Sequence, residues 1–344
     1  MSLVVRNLSK KYGDKTVVDN LNFEMARPGV FALLGTNGAG KTTSIRMMLN
    51  MLSRDSGEVL WNGKPLDTSV CNVGYLAEER GLYPKYTLMD QLIYFAALRG
   101  IPKAEAKKRI RYWAERLEVE EYLYPDGGAS SRKEALSGND ENKGAADSDR
   151  KRSAEKPESK KRARKQAPKK ADQLSKGNQQ KIQFMTALLP DPDLLILDEP
   201  LSGLDPVNTD LFKSIIREEI AKGKYMIMSS HQMATVEEFC TDIIILNRSK
   251  TVLQGHLNDI KKSYGRINLS LKTETDVSEL IEKAGLTLVA QKECEYQLRV
   301  SGEEQANAFL KLLIDHSVSV ITFDLREPSL HEIFVEKVGD AHED

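Results

Sequence analysis

"VFALLGTNGAGKTTSIRMMLNML", Val30 to Leu52, contains the stretch on which the fold turns. Its centre, "GTNGAGKTT" from Gly35 to Thr43, satisfies G-x-x-x-x-G-K-[ST]. The apolar run "VFALL" precedes it and the helix-period pattern "TTSIRMMLNML" follows, so the context is strand, glycine-rich loop, helix. Glycines let such a loop curl until its backbone N–H groups point at phosphate oxygens, and the helix N-terminus adds partial positive charge. The candidate nucleotide-binding residues are Gly35, Thr36, Asn37, Gly38, Ala39, Gly40, Lys41, Thr42 and Thr43. Within that set, Lys41 is expected to reach the β- and γ-phosphates, and Thr42 to ligate Mg²⁺.

Downstream, "LLILDEP", Leu194 to Pro200, reads as a buried strand ending in two adjacent carboxylates. Asp198 fits the Mg²⁺ shell, and Glu199 fits the base that orients and deprotonates an attacking water. Two acids at a strand end are otherwise commonly a solvated turn. The four apolar residues before them and the upstream phosphate loop favour the functional reading.

The chain has 344 residues, 40% of them hydrophobic, enough for one large domain or two of unequal size. A net charge of −1 supplies no global attraction to nucleic acid or membrane, so any such attraction must be local. No run approaches about 18 apolar residues and "MSLVVRNLSKKYG" lacks the core of a signal peptide, so a chain soluble in itself is expected. Cys71, Cys240 and Cys294 are far apart and outside any CxxC pairing; they read as apolar fillers in a cytoplasmic protein.

From Leu3 to about Leu123 apolar runs alternate with turn signals and helical patterns, which suggests α/β. From Tyr124 to Lys170 the composition turns to Gly, Ala, Ser, Asp, Glu, Lys and Arg, too polar to offset ordering entropy by burial; a disordered insert is expected. Regular patterns resume at Ala171. After Gly265, "INLSLK", "VSELIEKAGL", "TLVAQKECEYQLRV", "EEQANAFLKLLIDHS" and "VSVITFDLRE" read as strand, helix, two strands, helix, strand, the order of a ferredoxin-like split βαβ unit. The final helix "SLHEIFVEKV" lacks the second histidine of a zinc HExxH motif, and Leu330, Ile333, Phe334 and Val335 read as its packing face.

With these motifs in view, the chain resembles the nucleotide-binding subunit of an ATP-binding cassette (ABC) transporter. "LSKGNQQ", Leu174 to Gln180, is similar to the family signature LSGGQ; the resemblance implies that Ser175 and Gly177 contact the γ-phosphate of ATP held by a second subunit. It also implies that Tyr12 stacks on adenine, that Asp205 in "SGLDP" belongs to the D-loop, and that His231 is the switch histidine. The implied fold is an α/β P-loop NTPase of ABC type with a helical subdomain over residues 1–264, followed by a small α+β domain over 265–344. "GYLAEERGLYPKYT" and "LSKGNQQKIQF" look like the export branch that includes sodium-efflux ATPases with a small C-terminal domain.

Three departures stand out. Glu78 replaces the Q-loop glutamine, an acceptor-only side chain still able to reach Mg²⁺ through water. Lys176 and Asn178 replace a glycine and the glutamine of the signature without removing Ser175 or Gly177. The insert interrupts the helical subdomain just before the signature.

The resemblance implies head-to-tail pairing with a second copy or a similar ATPase subunit, and a transmembrane permease as partner. Peripheral attachment to the inner face of the cell membrane follows, with coupling through the groove near Glu78 and the helices from Leu88 to Val119. The basic run of residues 150–170, which has no aromatic residue among its Lys and Arg clusters, reads as a solvated loop or as a tether to nucleic acid or anionic lipid. A regulatory or nucleic-acid-associated ABC ATPase is therefore the competing function, and an insert that disables turnover is a third.

Overall fold

The computed structural model describes residues 1–79, 81–124 and 169–339. Of the stretch expected to be an insert, all but Tyr124, Lys169 and Lys170 lies outside the described residues, as does most of the basic run.

The described chain divides into two compact units. The larger comprises residues 1–78, 193–200 and 214–344. It opens not with α/β alternation but with an antiparallel sheet of order β2-β1-β4-β5, built from β1 (Leu3–Tyr12), β2 (Lys15–Met25), β4 (Ser56–Trp61) and β5 (Lys64–Pro65). Apolar and polar residues alternate along β1 and β2, so a single face is buried, as antiparallel sheets permit. β3 (Gly29–Gly35) joins a different, six-stranded sheet of order β10-β9-β3-β8-β7-β6. The other members are β6 (Val73–Leu76), β7 (Leu194–Asp198), β8 (Tyr225–Ser230), β9 (Asp242–Asn247) and β10 (Lys250–His256). All neighbours pair parallel except β10, which runs antiparallel to β9 at the edge. β3, β7 and β8 are almost continuously apolar because both faces are covered. Leu3, Leu8, Leu21, Ile45, Met48, Ile196 and Ile227 share one core, in which α1 (Lys41–Met48) takes part.

The same unit ends in a four-stranded antiparallel sheet of order β12-β13-β11-β14. Its elements run β11 (Asn268–Thr273), α9 (Ser278–Lys283), β12 (Thr287–Lys292), β13 (Glu295–Arg299), α10 (Glu303–Asp315) and β14 (Val320–Arg326). β13 lies between β11 and β12, so the first strand-helix-strand passage is split by a third strand, the ferredoxin-like arrangement. Leu269, Leu271, Tyr296, Leu298, Phe309 and Leu313 form its separate core. α8 (Leu257–Tyr264) leads into this sheet and α11 (Leu330–Gly339) follows it. On α11, Leu330 and Ile333 are buried as expected, but Val335 is 53% exposed: it follows Phe334 directly and falls on the opposite side of the helix.

The described residues of the second unit, which takes in 79–192 and 201–213, are mainly helical. It holds α2 (Leu88–Leu98), α3 (Lys103–Arg116), α4 (Glu120–Leu123), α5 (Lys176–Leu188) and the first half of α6 (Pro206–Ala221). Buried Leu88, Leu92 and Ala96 recur at helical spacing along α2, as do Ala106, Ile110 and Trp113 along α3, and Phe184 of α5 stacks on Phe212 with centroids 4.6 Å apart. Among the described residues no helix is long and apolar enough to cross a membrane.

Candidate functional site

The loop from β3 into α1 makes two backbone approaches that only glycine permits. Gly40 precedes α1 with φ 106°, and a Cβ there would lie 2.5 Å from the Val17 carbonyl oxygen. At Gly35 a Cβ would meet the Leu246 carbonyl oxygen at 2.6 Å. The Ala39 N–H donates to the Thr36 carbonyl at 3.1 Å and closes the turn between them. Lys41, only 7% exposed, folds into the curl: its Nζ donates to the Gly35 carbonyl at 2.8 Å and to that of Thr36 at 3.3 Å.

Three further parallel strands end at this loop's level, the edge at which such sheets hold ligands. β7 delivers Asp198 and Glu199, β8 delivers Ser229, Ser230 and then His231, and β6 is followed by Glu78. Ser229, fully buried, sits opposite Asp198 in the β7-β8 register. Its hydroxyl donates to Asp198 Oδ1 and accepts the Glu199 N–H at 3.0 Å. Glu199 is itself 7% exposed and occupies the left-handed region at φ 50°, which turns its side chain out of the strand direction. Its Oε1 lies 3.9 Å from Lys41 Nζ and its Oε2 lies 2.8 Å from His231 Nδ1. The imidazole of His231 remains 55% exposed.

Asp198 Oδ2 is buried and has no hydrogen-bond partner. An unpaired buried carboxylate oxygen is costly unless a cation or donor meets it. Mg²⁺ in phosphate sites takes one or two carboxylates, hydroxyl or water oxygens and the substrate's phosphates, so this oxygen fits that ion, and Thr42 at the start of α1 offers the hydroxyl.

An open cleft of about 260 Å³ adjoins these groups, lined by Thr36, Asn37, Gly38, Gly40, Lys41, Thr42, Thr43, Glu78 and Glu199, with Lys15 and Val17 from β2. Gly35 and Ala39 do not line it and shape the loop from behind, Ala39 being 2% exposed. Tyr12 is also outside the lining; it is 53% exposed at the hairpin end, directly opposite Lys15, with the Lys10 ammonium 5.4 Å from its ring centroid. Lys15, Val17 and Ser229 are the site residues that sequence reasoning missed. The serine pair closing the apolar run "YMIMSS" was the one available signal for Ser229.

Ser175, Gly177 and Asp205 belong to the helical unit. Ser175 caps α5, its Oγ accepting the Asn178 N–H at 3.3 Å. A Cβ added at Gly177 would meet Asn208 and Leu204 only at ordinary van der Waals distances, 3.6 and 3.7 Å. The Asp205 carboxylate accepts the Asn208 N–H at 2.9 Å, which holds its pKa below the usual carboxylate range.

Residues 18–202 match the family model described as ABC transporter, and residues 255–338 match that of the ATP-binding protein DrrA1-3-like C-terminal domain. An uncharacterised ABC transporter ATP-binding protein of Bacillus subtilis, YhaQ, is 38% identical over 342 residues, covering 99% of this chain and 100% of YhaQ. The linearmycin resistance ATP-binding protein LnrL of the same organism is 26% identical, with 98% of each chain covered. Nod factor export ATP-binding protein I of Ralstonia nicotianae is 26% identical over 98% of this chain and 94% of its own. Among solved structures, the ATP-binding subunit of an ABC transporter superposes with a TM-score of 0.59 at 26% identity, covering 77% of this chain and 93% of the other.

Proposed function

Since the chain belongs to the ABC transporter family as an ATP-binding protein, we propose that it binds and hydrolyses ATP to drive an exporter whose membrane-spanning part is a separate permease. Relatives named for linearmycin resistance and Nod factor export support the outward direction. Sodium-ion efflux is the narrower version of this proposal and rests on the branch motifs alone. The chain would work peripherally at the cytoplasmic face of the membrane.

The observation that carries the reading is the Glu199 carboxylate, held between Lys41 and His231 beside the unpaired oxygen of Asp198. ATP phosphates would lie along Thr36 to Thr43, with Lys41 leaving the loop carbonyls to reach the β- and γ-phosphates. Asp198 Oδ2 and the Thr42 hydroxyl would hold Mg²⁺, with Glu78 reaching it through water; when bound, the ion would supply positive charge to offset that of the phosphates. One Glu199 oxygen would take the proton of the attacking water while His231 keeps the carboxylate aimed. Ser175 and Gly177 of a second copy, or of a similar subunit, would complete the γ-phosphate contacts, with Asp205 beside them and Tyr12 stacked on the adenine.

The coupling surface fits the helical unit. A largely apolar cavity of about 410 Å³ is lined by Tyr83, Tyr86, Asp90, Gln91 and Tyr94, inside the stretch between Glu78 and Val119. Ultracentrifugation and turnover assays on Glu199→Gln test the whole proposal. Mass doubling in MgATP with hydrolysis abolished is expected. Unchanged turnover would defeat the assignment of the base, and a persistent monomer, even with a companion subunit, would defeat the paired site.

A further inference from the structure

A single residue, Gln232, separates His231 from α7 (Met233–Phe239). Gln232 precedes the helix as its cap, and its N–H is held by the Ser230 hydroxyl at 2.9 Å. With so short a link, the seat of α7 fixes the backbone of His231. Met233, Val236 and Phe239 bury one side of this helix, and the other side carries two adjacent carboxylates. Glu238 pairs with Arg217 of α6. Glu237 is bound more unusually: its Oε1 accepts from Lys261 Nζ of α8 at 3.0 Å and from the backbone N–H of Leu330, the first residue of α11, at 2.8 Å.

α8 and α11 are the elements by which the chain enters and leaves the C-terminal sheet, so one carboxylate oxygen gathers both crossings. Both bonds are charge-assisted, and a carboxylate at the start of α11 is further favoured by that helix's dipole. The two helices are also tied to each other, through Tyr264 Oη and Glu336 at 3.1 Å. Beside the junction lies a polar cavity of about 380 Å³ whose lining includes Glu237, Lys261, Asn268, Arg326 and Glu332. At this joint the polar bonds of Glu237 act beside the buried Leu330 and Ile333 of α11.

We propose that Glu237 is a positioning residue through which α8, α11 and the C-terminal sheet hold His231 in line with Glu199, so that a displacement of that sheet is felt as a change in turnover. The inference rests on the roles given above to Glu199 and His231. Its failure is separable from theirs: a wild-type chain without ATPase activity defeats those roles, whereas the comparisons below presuppose turnover.

The test uses the full chain and three variants, Glu237→Ala, Glu237→Gln and Lys261→Met. Glu237→Ala is expected to lower kcat about tenfold while KM for ATP stays within about twofold, the pattern of lost alignment rather than lost binding. Glu237→Gln, whose amide oxygen still accepts the Leu330 N–H, should recover most of that loss. Proton NMR of the histidine ring supplies a second readout: the His231 resonance should move in Glu237→Ala and return in Glu237→Gln, with that of His316 unmoved. Should Glu237→Ala fail to fold, Lys261→Met carries the test, with a smaller kcat loss and a His231 shift of the same sense. Unchanged kcat, a change confined to KM, or an unmoved His231 resonance in the folded variants would overturn the proposal.

Discussion

Ser229 serves two neighbours with one hydroxyl, donating to Asp198 and accepting from the Glu199 backbone. Replacing it by alanine would leave Asp198 without its hydroxyl donor, beside an Oδ2 that already lacks a partner. Ser229→Ala should therefore destabilise the nucleotide-free protein by about 1–3 kcal/mol, the usual cost of an unsatisfied buried group. Thermal unfolding with and without MgATP checks this: the deficit should narrow when a cation meets the carboxylate, and an equal melting temperature without nucleotide would refute it. Lys41, Asp198 and Glu199 lie in short contiguous motifs and so could be singled out from the sequence before the structure brought Lys41 and Glu199 together. Ser229 could not, because a buried serine acquires its meaning only from the strand that pairs beside it.

Among the elements, the start of α2 depends on one buried amide. Gln91, 3% exposed, accepts the Tyr83 N–H at 2.7 Å and donates to the Tyr83 and Tyr86 carbonyls at 2.9 and 3.1 Å. Gln91→Leu would remove the partner of the Tyr83 N–H and of the Tyr86 carbonyl, leave the Tyr83 carbonyl only the Tyr86 N–H at 3.4 Å, and loosen the turn that presents Tyr83 and Tyr86. Amide exchange should accelerate there by about tenfold or more, with α3 little affected; uniform acceleration would argue for global destabilisation instead. In the C-terminal sheet, Asp276 accepts from the Ser278 hydroxyl and N–H and from the hydroxyl of fully buried Tyr296. The Ser278 hydroxyl first, then Tyr296, depress its pKa to about 2. A depressed carboxylate stabilises the fold above its unfolded pKa, about 3.9, and that contribution fades as pH falls toward 2. Asp276→Asn should lower the melting temperature at pH 7 and flatten its decline between about pH 4 and pH 2; parallel curves would show the charge to be unimportant. The order of elements in this sheet was readable because alternating and helical patterns succeed one another cleanly. The separate β2-β1-β4-β5 sheet was not, since apolar runs between turns look alike whether their partners are parallel or antiparallel.

At the scale of the molecule, the glycine-rich loop and the acid pair stood out as contiguous motifs, whereas nothing in the sequence marked Glu237, whose partners lie 24 and 93 positions away. The long polar stretch stood out by composition, and its flanks belong together in space. The Lys169 ammonium sits 4.6 Å from the Tyr122 ring centroid, the Lys169 carbonyl accepts the Leu88 N–H at 3.1 Å, and Lys170 bridges to Thr87. Replacing residues 125–168 by about six Gly/Ser residues should leave the melting temperature within a few degrees and preserve ATP turnover, because closing so small a gap needs little chain. Aggregation of the shortened protein would contradict this.

Neighbouring flanks of this kind also make a socket. A guest domain with closely spaced termini, such as a fluorescent reporter, could be spliced between Tyr124 and Lys169 while the host helices keep their seats. The position would then serve as a handle for following this ATPase in living cells without touching its nucleotide cleft.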